Sequence, residues 1–184
     1  HFPGGRIRDS SYESMDHSMR LRRAIERGAV DLDLGWFDGD FAGTPALPMD
    51  IVKDEAQRAN LALRRSFSFA DLEARVYRHA IDHRMDNFSL RPPGMMRMES
   101  PAGTEDIGAS AQLETTRPSG LWRGGWEVLA NTHDAHQVNV ISGARQDTFR
   151  GTSRIRLGLY AEWEKEVATG WTLGLGVRSD TVWM

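Results

Sequence analysis

Apolar side chains recur at every second position along most of this chain, and a period of two belongs to strands that present one apolar and one polar face. The clearest run sets Ile155, Leu157, Leu159, Ala161 and Trp163 against Arg154, Arg156, Gly158, Tyr160, Glu162 and Glu164. Val30, Leu32, Leu34 and Trp36 alternate in the same way with Asp31, Asp33 and Gly35, and Trp171, Leu173, Leu175 and Val177 with Thr172, Gly174, Gly176 and Arg178. Similar alternation around Leu61, Val76, Ile107 and Trp126, with a weaker segment from Met15 to Glu26, brings the prediction to about eight strands. Turn residues punctuate them at Glu26-Arg27-Gly28, near Ser68, at Arg117 to Gly120 and at Ala168-Thr169-Gly170. Longer connections are expected over Asp38 to Val52, Asn87 to Gly103 and Asp134 to Arg150.

Short and long connections therefore alternate, which places all the short ones at one end of an antiparallel sheet. Transmembrane β-barrels have that arrangement, with an outward apolar band edged by aromatic girdles. Trp163 closes one apolar run and Trp171 opens the next across a turn, as one girdle requires. Arg154, Arg156, Glu162 and Glu164 on one strand are too many charges for a dry core, but they suit a wet lumen. The expected fold is all-β, an antiparallel up-and-down transmembrane barrel segment. A soluble antiparallel sheet with one solvated face is the alternative.

Composition changes this picture little. The 184 residues carry a formal charge of −3 and no basic block, so nucleic acid is not an expected partner. No run of 18 apolar residues is present, which excludes a membrane-spanning helix and says nothing of spanning strands. There is no cysteine, hence no thiolate ligand or nucleophile in this chain. The sequence starts at His1-Phe2-Pro3 without a signal segment and stops at Trp183-Met184 in an apparent strand, so we expect residues 1–184 to be part of a barrel domain cut from a longer protein. Neither a Gly-x-Ser-x-Gly elbow nor a His-Glu-x-x-His spacing occurs, and no catalytic activity is expected.

The candidate chemistry lies between His79 and Met98, which holds two histidines and four methionines in twenty residues. His83 and Met85 share strand parity and sit roughly 6.6 Å apart at the backbone, within converging distance of one ion. Thioether sulfur favours Cu(I). Met95, Met96 and Met98 fall in the expected loop after Pro92-Pro93-Gly94, as a group for collecting metal. Each has a plainer reading: His83 bonded to a carboxylate, Met85 filling a gap, and the loop methionines packed on other loops. His17 and Met19 repeat the spacing without the following Asp-Asn. His79, His133 and His136 are expected to be ordinary polar residues. Asp82 and Asp86 would serve only a hard metal.

Four stretches resemble TonB-dependent outer-membrane receptors, and among them the copper receptors. They are Pro45 to Asp50, His83-Arg84-Met85-Asp86-Asn87-Phe88, the Met95-Met96-Arg97-Met98 run, and Gly174 to Asp180. The resemblance implies a bacterial outer-membrane location and a barrel of about 22 strands. It further implies a separate plug domain, absent here, and energy delivered by an inner-membrane TonB protein. It implies that His83 and Met85 form the lumen-facing half of a copper site, with copper as cargo and no catalytic cofactor. A receptor of the same type for a siderophore or other cargo, or a passive porin, is the alternative.

Overall fold

The computed structural model describes residues 12–44, 47–92 and 94–184. Residues 1–11, Pro45, Ala46 and Pro93 lie outside the described residues, and with them the start of the Pro-Ala-Leu-Pro stretch and one proline of the expected strand stop.

Eight strands follow one another: β1 (Glu13–Ile25), β2 (Gly28–Ala42), β3 (Asp50–Ser66), β4 (Asp71–Asp86), β5 (Met98–Arg117), β6 (Gly120–Asn139), β7 (Arg145–Ala168) and β8 (Trp171–Trp183). They pair in sequence order as one antiparallel sheet whose outer strands, β1 and β8, do not meet. The fold is all-β and up-and-down, as the alternation predicts. Four connections at one end span two to four residues, and those at the other run over 43–49, 87–97 and 140–144.

All three long connections are shorter than expected, and the one expected over Asp38 to Val52 is reduced to 43–49 because β2 runs on to Ala42 and β3 already starts at Asp50. β5 begins at Met98, so the loop after β4 ends six residues before Gly103. The connection expected over Asp134 to Arg150 shrinks to residues 140–144, because β6 and β7 extend beyond their alternating parts. In these extensions both faces are polar, so the period of two vanishes while the backbone ladder continues. Pro101 sits inside β5, and the ladder to β6 skips Ser100 and Pro101, since proline has no N–H to donate.

The register aligns like with like across strands. Leu61 pairs with both Leu32 and Val76, and Trp126 with both Ala111 and Leu159, so the apolar positions form one continuous face. That face is not covered. Val76 is 55 % exposed, Leu159 52 % and Val177 69 %. Among the described residues the buried apolar side chains are only Ala29, Val52, Ala62 and Ala135. On β7 the band from Ile155 to Trp163 measures roughly 27 Å along the strand. Aromatic side chains edge it at the short-turn end, where Trp122 and Trp163 stand 6.2 Å apart and Trp163 Nε1 donates to the Ser119 carbonyl at 2.9 Å.

The opposite face carries a network of charge pairs. Arg20 and Arg64 bind Asp33 and Asp31, and Arg156 and Arg178 both reach Glu127. Glycines on this face let large neighbours lie flat: a Cβ on Gly108 would meet Tyr77 Cζ at 2.2 Å. Tyr160 reaches across to donate to Gln112 Oε1 at 2.6 Å.

Candidate metal site

The loop-side ends of β3, β4 and β5 position the predicted ligands. His83 pairs across the sheet with Asp54 and Ala102, and Met85 with Ile51 and Ser100. Both therefore stand on the charged face, where Ile81 and His79 continue the row toward the sheet centre. Met98 opens β5 two residues before Ser100, so it shares the face of Met85 and lies diagonally from it, about 7 Å away at the backbone. Met95 and Met96 remain in the connection, 98 % and 65 % exposed. His83 Nδ1 lies 3.6 Å from Asp54 Oδ1, an ion pair when the ring is protonated. Asp54 did not stand out in the sequence, because only the register reveals it opposite His83.

The remaining histidines are dispersed. His17 stacks on Trp36 at 5.1 Å, with Met19 two positions further along the edge strand. His79 packs beside Tyr77 at 5.5 Å. His133 Nδ1 is 2.6 Å from Thr104 Oγ1, and His136 Nδ1 is 3.6 Å from Asp134. Among the described residues no three His, Asp or Glu side chains gather closely enough to hold a metal ion. Any metal held here relies on thioethers and on ligands from elsewhere.

Asp86 and Asn87, which complete the His-x-Met-Asp-Asn string, have a structural task. Asp86, 4 % exposed, accepts hydrogen bonds from Phe88 N at 3.0 Å, Ser89 N at 2.8 Å and the Ser89 hydroxyl. Its lone pairs are thereby committed to an Asx-type turn, which leaves it no role as a hard-metal ligand. Asn87 Oδ1 accepts from Met98 N at 2.9 Å and its Nδ2 donates to Met96 O at 3.1 Å. These bonds fold the connection back on itself and fix where the three loop-side methionines begin.

A second buried carboxylate ties this connection to the preceding one. Asp50, 1 % exposed, receives Arg91 Nε at 2.5 Å, Arg91 Nη2 at 2.7 Å and Thr44 N at 2.8 Å. Arg91 Nη2 also donates to Thr44 O at 2.9 Å. The Arg91 guanidinium holds the Asp50 carboxyl below its usual value, against the opposing effect of desolvation. Nothing in local sequence announces an Asp and an Arg that meet across two connections.

No family model matches the chain, and no curated protein matches it. Solved structures do. The copper transporter OprC superposes on 93 % of this chain with a TM-score of 0.80 at 21 % sequence identity. The match takes up 29 % of that protein, so the present chain spans less than a third of OprC's length. At this identity the likeness carries the fold alone.

Proposed function

We propose that this chain is part of the wall of an outer-membrane transporter of the TonB-dependent kind, with copper as its cargo and His83 and Met85 as ligands on the lumen side. The observation that carries the reading is the inversion of the two faces. The apolar one is uncovered and the charged one is cross-linked by ion pairs, as hydrocarbon outside and water inside require. A water-soluble sheet would leave an apolar patch far larger than the few hundred Å² usual for monomers. The structural likeness to a copper transporter and the thioether and imidazole groups on the inner face support the choice of cargo.

In this reading the exposed Met95 and Met96 meet metal first. Met98, Met85 and His83 stand on the inner wall behind them, with the Asp54 carboxylate beside the His83 ring. A plug domain and the inner-membrane TonB protein supply the remaining ligands and the energy. The wall itself performs no bond-breaking chemistry.

Competitive Cu(I) titration and copper uptake by the complete protein test this. His83→Ala and Met85→Ala should each weaken Cu(I) binding on the order of tenfold or more, taking the 10–100-fold effect of outer-shell losses as a floor. Met85→Ala should leave Zn(II) binding less affected than His83→Ala does. Arg84→Ala, on the opposite face, should bind as wild type. Unchanged Cu(I) affinity in Met85→Ala would remove the site from this strand.

A further inference from the structure

Of the eight methionines in this chain, Met95 and Met96 alone combine a strongly exposed side chain, a second thioether next to it and a place outside the strands. They lie in the connection between β4 and β5, 98 % and 65 % exposed. Met85 and Met98 stand within β4 and β5 and are half-buried, as is Met49. Met15 and Met19 pair with Asp38 and Leu34 on the apolar side of β1. Met184 is equally exposed but follows β8, three strands from β5.

The backbone that carries the pair is fixed by bonds in which no sulfur takes part. Asn87 N donates to Met98 O at 3.2 Å, adding to the two bonds of the Asn87 side chain, and Val140 N donates to Arg97 O at 2.9 Å. Oxygen added to a packed methionine disrupts its surroundings, whereas Met95 and Met96 have little packing to lose. From this we infer that Met95 and Met96 are a site of reversible oxidation, at which the connection passes from a metal-collecting to a non-collecting form. The oxidant is a hypohalous acid. The sulfur lone pair attacks the chlorine of hypochlorous acid, the Cl–O bond breaks and hydroxide leaves. Water then adds to sulfur, chloride departs, and of the two protons released one neutralises the hydroxide. Sulfur has lost two electrons and chlorine has gained them. Arg97, exposed and adjacent in sequence, draws the hypochlorite anion toward the pair, and the chain has no thiol to compete for it. The sulfoxide presents a hard oxygen where a soft thioether stood, a poor exchange for Cu(I). The oxidation site stands on exposure and the hydrogen-bonded frame; its effect on copper rests on the function proposed above.

The test uses the complete protein. In a titration with hypochlorous acid followed by peptide mass spectrometry, Met95 and Met96 should each gain one oxygen before Met85 or Met98 gains any. Protein oxidised to that point should keep its equilibrium affinity for Cu(I). Copper uptake by cells treated to the same point should show a KM raised on the order of tenfold, taking the loss of a metal's neighbour as the measure, with the maximal rate unchanged. Methionine sulfoxide reductases should restore both mass and KM. Met95→Leu combined with Met96→Leu should show the raised KM without oxidant and no further change with it, which separates the pair from damage elsewhere. Oxidation of Met85 or Met98 as early as Met95 overturns the proposal, as does an unchanged KM in the oxidised protein or in the double variant. Absence of copper uptake before any treatment refutes the copper cargo, and the order of oxidation then decides the modification site by itself.

Discussion

Replacing Arg91 with alanine isolates the contribution of the Asp50 clamp. The substitution removes two of the hydrogen bonds to a carboxylate that is 1 % exposed and also the bond to Thr44 O. It leaves Asp50 with the bonds from Thr44 alone. Removing one partner of a buried pair costs about 3–5 kcal/mol. Arg91 is itself a quarter exposed, so the lower end applies, about 3 kcal/mol. Because the clamp joins two connections at the very first residue of β3, the loss should register as local opening. Amide exchange at Thr44 N–H should speed up by about a hundredfold, with exchange at Leu61 and Leu157 in the strands unchanged. The double replacement Asp50→Leu with Arg91→Leu should recover part of the protection, since no unpaired charge remains. Acid should act on the same group. A carboxyl held below its unfolded value contributes stability that is complete above about pH 4 and is lost as pH falls further. Thr44 protection should therefore stay flat from neutral pH down to about 5 and collapse only below 4. If Arg91→Ala exchanges at the wild-type rate, the clamp does not hold the connections together.

Further outcomes follow from the two faces and the turns. Leu157→Arg, in the middle of the apolar band, should destabilise the protein in bilayers by about 2–4 kcal/mol, whereas Arg156→Leu on the other face should cost far less; denaturant titration in lipid vesicles separates them. Gly108→Val should drive the Tyr77 ring from its place, because the added Cβ meets Cζ at 2.2 Å, and Tyr77→Ala in the same protein should restore folded yield. Cysteines at Gly94 and Gly143 should label with an impermeant reagent on intact cells, and cysteines at Gly28 or Ser119 should not. The reverse pattern would mean that the strands run the opposite way across the membrane.

Strand number, order and faces were legible in the sequence because each strand has a stretch in which one side meets an apolar and the other a polar surrounding. That contrast writes itself as alternation in Ile155 to Glu164. It disappears in Thr132 to Asn139 and in Met98 to Gly103, where both sides are polar, so these segments resemble loops although their backbones pair. Met98 accordingly moved from the loop to the wall. His83 and Met85 were visible through residue type and spacing, and their common face through parity. Asp54 beside His83, Arg91 on Asp50, and the turn-forming tasks of Asp86 and Asn87 depend on chain segments meeting in space. Residue spacing holds no trace of them.

One irregularity, at Val52, decides what surrounds the paired histidine and methionine. Ile51 lies opposite Met85 and Lys53 opposite Arg84, so β3 spends one extra residue there. Below that point even-numbered residues of β3 share the side of His83; above it the odd-numbered Ile51 does. Strict alternation would have turned the Asp50 carboxylate toward Met85 and Ile51 away. The extra residue thus works as a frame shift in the strand, keeping an anionic oxygen donor out of a neighbourhood of sulfur and imidazole. Descendants of this sequence that gained or lost a single codon there would exchange one kind of ligand sphere for another without altering any ligand residue.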